Sequence, residues 1–240
     1  YKSDDEGSTW MPVNTGLGDL EVRSLAANSE DTIFAGTHGM GVFRSSNLGL
    51  SWEETNDGLD NIWIDFITGN SKNEIFAGCS GGGVLKTSDD GVTWTRVAQG
   101  LDPMIYSLSI DSADRIFVSN RDGAFKSTDN GKSWETLFSN FPYYMHFAFS
   151  NNGNIVATGY LFTGGGVWIS DNRGTNWIQS LVIDPPDCPN DVLVNDSNYI
   201  FAASIINGLY ISKNFGASWD KKMIDPLYHD VYKLFLNKNG

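Results

Sequence analysis

Thr87-Ser88-Asp89-Asp90-Gly91-Val92-Thr93-Trp94 is the stretch that decides the fold. It sets a hydroxyl, a carboxylate, a glycine, a second hydroxyl and an indole in a row. Short polar side chains of this kind hold a tight turn, and the indole that follows has a large apolar surface to bury. Five other stretches keep the same order: Ser3 to Trp10, Ser45 to Trp52, Ser127 to Trp134, Ser170 to Trp177 and Ser212 to Trp219. The pattern is Ser/Thr-x-Asp/Asn-x-Gly-x-Ser/Thr/Asn-Trp. The tryptophans Trp10, Trp52, Trp94, Trp134, Trp177 and Trp219 fall 42, 42, 40, 43 and 42 residues apart. In each copy an acceptor side chain (Asp5, Asn47, Asp89, Asp129, Asn172 or Asn214) is placed to take backbone N–H bonds within the turn. The ring is expected to pack beneath it.

The sequence around the octapeptide repeats as well. Apolar triplets at Ile33, Ile75, Ile116, Ile155 and Ile200 mark one strand, and doublets at Val42, Val84, Ala124, Val167 and Leu209 mark the next. An earlier strand centres on Leu25, Phe66, Leu108, Phe147, Val192 and Leu234, and a fourth begins at each tryptophan. Four short strands per unit of about 42 residues, joined by Asn/Asp/Ser/Gly turns, predict an all-β chain. Its architecture is a β-propeller of four-stranded antiparallel blades. Such blades are apolar on both faces and bury them only by stacking against one another. Six blades are expected over residues 1–240 as a single propeller domain, the last of them incomplete and shared between 228–240 and 1–13. Because that shared blade lacks a strand, the native chain is expected to extend further, with seven blades possible.

The octapeptide resembles the Asp box, or BNR repeat, of sialidases, sortilin-type receptors, xyloglucanases and photosystem II assembly-factor-like proteins. The resemblance extends over the whole chain and lies nearest to non-enzymatic secreted bacterial proteins of this type. It implies a hairpin between the third and fourth strands, away from the binding face, and hence a structural role for all six boxes. The Asp-x-Asp-x-Gly element also looks like part of a calcium loop, but the remaining ligands of such a loop are absent.

Composition narrows the function. The net charge of −13 argues against nucleic-acid partners, which need cations to replace counterions. No apolar run reaches transmembrane length, so membrane insertion is not expected. Cys79 and Cys188 are too few for a disulfide scaffold. His38, His146 and His229 lie in different units without metal-ligand spacing, so neither a metal nor a cofactor is expected. The arginine triad and Arg-Ile-Pro-type motif that the resemblance would require of a sialidase are missing. A xyloglucanase-like reaction would need two carboxylates across a cleft. Asp65 and Asp191, which fall at one position of different units when Phe66 and Val192 are aligned, are the only candidates.

Loops entering first strands and loops joining second to third strands share one face of a propeller blade. That face carries Trp63, Tyr106, Tyr143, Tyr144, Phe162, His38, Arg121 and His229, the candidate binding residues. Aromatics grouped on one face mark a surface for partners or sugars. The expected function is therefore a non-catalytic module that binds a protein or a glycan, part of a larger secreted, extracellular or periplasmic protein. A glycoside hydrolase fragment and a photosystem II-type assembly factor are the alternatives.

Overall fold

The computed structural model describes residues 1–18, 21–139, 143–161, 164–223, 231 and 233–235. They form five four-stranded antiparallel sheets, and no helix occurs among the described residues. The first sheet holds β1 (Val22–Ala27), β2 (Ile33–Thr37), β3 (Val42–Ser45) and β4 (Glu53–Glu54). The second holds β5 (Ile64–Gly69), β6 (Ile75–Cys79), β7 (Gly83–Thr87) and β8 (Thr95–Arg96). The third holds β9 (Ser107–Ile110), β10 (Ile116–Asn120), β11 (Gly123–Ser127) and β12 (Glu135–Ser139). The fourth holds β13 (Tyr143–Phe149), β14 (Ile155–Leu161), β15 (Gly164–Ser170) and β16 (Ile178–Ile183). The fifth holds β17 (Pro189–Val194), β18 (Ile200–Ser204), β19 (Gly208–Ser212) and β20 (Asp220–Lys222). Spatial order follows chain order in every sheet, the meander of a propeller blade.

The chain divides into two compact units, Tyr1–Ile116 with Ser127–Trp134, and Phe117–Lys126 with Glu135–Gly240. In the first, Phe34, Ile64, Ile75, Leu85 and Trp94 form one buried cluster. Ser24 ties β1 to β5 by donating its hydroxyl to the Ile67 carbonyl and accepting the Ile67 N–H. The two sheets approach so closely that a Cβ on Gly36 would lie 2.6 Å from Ile64 Cγ2. In the second unit Phe117, Met145, Phe147 and Ile155 form one cluster, and Val156, Val167, Val192 and Ile200 another. Strands such as β6 and β10 are buried along their whole length. Apolar runs replace alternation because both faces of a blade are covered.

All six octapeptides adopt one geometry. The first hydroxyl accepts the glycine N–H at 2.7–2.9 Å. The Asp or Asn Oδ1 accepts the N–H of the seventh residue at 2.8–2.9 Å. The fourth residue is left-handed as well as the glycine, at φ values of 50–65° for Glu6, Leu48, Asp90, Asn130, Arg173 and Phe215. That is an uncommon conformation for Leu, Arg or Phe, and the two side-chain bonds impose it. Its residue type changes in every copy, so no sequence signal marks it.

The tryptophans are less uniform than the turns. Trp52 and Trp94 reach back to the preceding repeat, donating their indole N–H to the carbonyls of Val13 and Thr55. Trp219 donates to the Ser180 hydroxyl. Each acceptor lies three residues beyond the previous tryptophan. Trp177 and Trp10 instead bond their own Gly174 and Gly7 carbonyls, and the Trp134 N–H is buried without a partner. Trp10 departs from the expected packing: its ring is 62% exposed, because it folds back on its own turn and covers no sheet.

A second repeated turn, unforeseen from sequence, joins first to second strands. The side chains of Asn28, Asn70, Asp111 and Asn195 each accept two backbone N–H groups, two and four residues on. Neighbouring copies are stitched together: Ser29 donates to Asn73, and Ser71 to Asp114. Lys2 and Met11 form an isolated antiparallel bridge, and the Val231 N–H bonds the Ser204 carbonyl.

Candidate functional site

The opposite end of the blades is built from loops that differ from one another. His38 follows β2, and Trp63 precedes β5; the two form an isolated antiparallel bridge. Their rings stack at 5.4 Å between centroids and 23° between planes. The same position one repeat on is Ser80, which bridges Met104. The scaffold is thus repeated while the side chains it presents are not.

Around Trp63 the polar groups form a chain. Asn61 Oδ1 accepts the Trp63 N–H at 2.8 Å, and Asn61 Nδ2 donates to the Ser80 carbonyl at 3.0 Å. Asp65 lies within the bulge between Ile64 and Phe66, which turns its carboxylate toward the loops. Its Oδ1 is 3.2 Å from His38 Nδ1, and its Oδ2 accepts the Ser80 hydroxyl at 2.5 Å. The result is an indole plate, 51% exposed, whose backbone is held by Asn61 and whose ring is backed by a histidine pinned to Asp65. The thiol of Cys79 on β6 is buried, and burial together with Asp60 and Asp65 pushes its pKa up to about 12.

This arrangement presents a ring and lacks the order of a serine-histidine-aspartate relay. In a serine-histidine-aspartate relay the imidazole stands between hydroxyl and carboxylate. Here the carboxylate stands between Ser80 and His38, so the hydroxyl bonds the carboxylate and not the imidazole. The carboxylate pair fares no better. The register sets Ile67 against Ala77 and Val192 against Ala202, so Asp65 is the bulged residue while Asp191 is the paired residue opposite Ala203. The two are not at one position of the repeat, which corrects the alignment drawn from Phe66 and Val192. The same bulge occurs in both sheets, at Asp65 and at Asn190, so the offset comes from setting Phe66 instead of Ile67 against Val192. Asp65 belongs to the first unit and Asp191 to the second.

Asp191 is buried and already bound, accepting the Leu234 N–H at 2.8 Å with Lys233 Nζ at 3.4 Å. Beside it, desolvation holds His146 below the usual histidine range; Asp191 opposes that shift and Lys233 adds to it. These groups anchor residues 233 and 234 to β17. Tyr106 is half-buried in the first unit, and Arg121 is exposed in the second. The side chains of Tyr143 and Tyr144, together with Phe162 and His229, lie outside the described residues. Both cysteines are free, and among the described residues no His/Cys/Asp/Glu group is arranged to hold a metal.

No protein-family model matches the sequence, and no curated protein matches it. Solved structures do match in fold. The xyloglucanase of family GH74 from Xanthomonas campestris superposes with a TM-score of 0.72 at 18% identity, covering 89% of this chain and 40% of the enzyme. YCF48 bound to D1 peptide gives 0.64 at 16% identity, covering 83% of this chain and 66% of that one. PorZ, a surface component of the type-IX secretion system of Porphyromonas gingivalis, gives 0.68 at 13%, covering 89% and 36%. The chain therefore spans less than two thirds of each of these three proteins. The likeness is one of fold, and the fold is that of a β-propeller.

Proposed function

We propose that this chain is a non-catalytic propeller that binds a protein or a glycan through its loop face, with Trp63 as the anchor. The observation that supports this most is the half-exposed indole backed by His38 and tethered through Asp65 to Ser80. A large aromatic surface held rigid in solvent contributes contact area at little entropic cost. Tyr106 of the same unit is proposed as a further contact, and Arg121, Tyr143, Tyr144, Phe162 and His229 of the second unit as further binding residues. The six octapeptides act as Asp boxes of structural purpose, and residues 1–240 form one propeller within a larger exported protein. Two neighbours support a protein ligand: YCF48 was solved bound to D1 peptide, and nidogen in complex with laminin.

The test is binding to a glycan array and to a peptide library, run beside assays on chromogenic polysaccharides. Retention on one library, lost in Trp63→Ala with unchanged circular dichroism, is the expected result. Turnover of a polysaccharide abolished by Asp65→Asn would overturn the non-catalytic reading.

A further inference from the structure

Most outer strands of the blades are guarded. β4 is Glu53–Glu54, β8 is Thr95–Arg96 and β20 is Asp220–Lys222: two or three residues, charged and exposed. β12 opens on Glu135, which is paired at 3.0 Å with Lys126. Short, charged edges keep sheets from pairing with other chains. β16 lacks both protections. It runs for six residues, Ile178–Ile183, with no charge and no proline. Ile178 is 72% exposed and Val182 65%. β16 is the last strand of its sheet and, among the described residues, pairs only with β15, so its other side turns backbone donors and acceptors outward.

A groove of about 460 Å³ runs beside this edge, walled by Ile169, Ile178, Gln179 and Phe215. Asp171 lines the groove, and exposed Asp184 follows the strand, so a carboxylate stands toward each end.

We propose that β16 is a docking strand for an extended segment of a partner protein, which adds as a fifth strand to this blade. An apolar side chain of that segment enters the groove between Ile169 and Phe215, and basic residues meet Asp171 and Asp184. Strand addition of this kind takes affinity from main-chain bonds and specificity from side-chain pockets. A second copy of this chain fits the edge poorly. Two molecules of net charge −13 repel, and antiparallel pairing of β16 with itself would bring Asp171 toward Asp184 of the other copy. The edge of β16 and the Trp63 ring belong to different units, and the Trp63→Ala arm below keeps the two proposals distinguishable.

The probe is a synthetic peptide alternating valine and lysine over about eight residues, enough to span a strand of this length. Amide hydrogen exchange of the whole chain should slow at residues 178–183 on its addition. Binding should weaken about tenfold or more in Ile178→Asn and in Val182→Asn, two exposed positions where the fold tolerates the change, and be untouched by Trp63→Ala. A peptide N-methylated at alternate amides, with its charge intact, should not bind. Unchanged exchange at 178–183, or equal binding of the N-methylated peptide or the Asn variants, would overturn the proposal. So would sedimentation as a dimer that Val182→Asn dissociates, which would assign the edge to a second copy.

Discussion

The two ends of the blades obey different rules. At the octapeptide end, six sequences that differ at every variable position make the same two side-chain bonds, within 2.7–2.9 Å. At the loop end, two successive loops share a backbone bridge but present His38 and Trp63 in one case and Ser80 and Met104 in the next. Where each turn must do the same mechanical work, residue types converge. Where the scaffold is already secure, side chains are free to diverge toward a ligand. Substitutions at the first end should therefore change stability, and substitutions at the second should change binding.

The largest effect is expected at Trp94. Its ring is 3% exposed and its N–H is donated to the Thr55 carbonyl at 2.9 Å. Trp94→Ala should cost about 3–5 kcal/mol, as truncation of a buried large aromatic does. Trp10→Ala removes the corresponding residue from a turn of the same geometry but should cost less than about 0.5 kcal/mol, because that ring is exposed. Equal losses in urea unfolding would show that the turn, and not the ring's burial, carries the stability.

Next comes Gly216. A Cβ there would land on Ile169 Cδ1 and the Ser180 hydroxyl, at a φ of +86°. Left-handed strain of about 1–2 kcal/mol and overpacking of about 1–3 kcal/mol should combine in Gly216→Ala. Gly49 has a similar φ, but its added Cβ would find its nearest neighbours at 3.7 Å, so Gly49→Ala should show the strain alone. The difference between the two variants in thermal unfolding isolates the contact between neighbouring sheets.

Trp134 offers a gain. Its indole N–H is buried without a partner, and the residue three places beyond the previous tryptophan is Val97. At the matching places Thr55 supplies a carbonyl to Trp94 and Ser180 a hydroxyl to Trp219. The Thr55 and Ser180 hydroxyls also donate to the Gly91 and Gly216 carbonyls. Val97→Thr should give Trp134 an acceptor and raise stability by about 1 kcal/mol. A loss instead would mean that packing of Val97 against Gly131 outweighs the bond.

Much of this was legible in the sequence because turns are local. Six copies of one octapeptide set the blade period, and each fourth strand begins one residue after the expected tryptophan. The left-handed fourth position is invisible in one dimension because Glu6, Leu48 and Phe215 share no property. The turns at Asn28, Asn70, Asp111 and Asn195 are masked by the more conspicuous tryptophans, which carry the same period. Trp63 and His38 can be placed on one face by counting strands. Their pairing with Asp65 and Ser80 depends on a bulge and on two sheets meeting, which one-dimensional spacing does not encode.

Acid should separate the turns by residue type. Asp5, Asp89 and Asp129 have pKa values lowered to about 2, chiefly by bonds from Thr9, Thr93 and Ser133. A depressed folded pKa contributes stability that is present above the ordinary carboxylate pKa near 4 and lost as pH falls from there through about 2. Asn47, Asn172 and Asn214 keep the turn geometry without a titrating group. Asp89→Asn should therefore flatten the pH dependence of unfolding between about pH 4 and pH 2, with little change at pH 7. An unaltered acid profile would show that the hydroxyl bonds to Asp89 persist after protonation.

The smallest change in stability is expected at the opposite end, where it is most informative. Trp63 is 51% exposed, and its ring touches His38 without closing a core. Trp63→Ala should shift unfolding by less than about 0.5 kcal/mol, the range of surface substitutions. If the ring is a binding anchor, the same variant should weaken ligand capture by about 2 kcal/mol or more, the scale of an aromatic hot spot. Asp65→Asn should fall between these extremes, because it loosens the His38 support without removing the plate. A Trp63→Ala protein that unfolds as readily as Trp94→Ala would place this ring with the structural tryptophans, and the division between the two ends would fail.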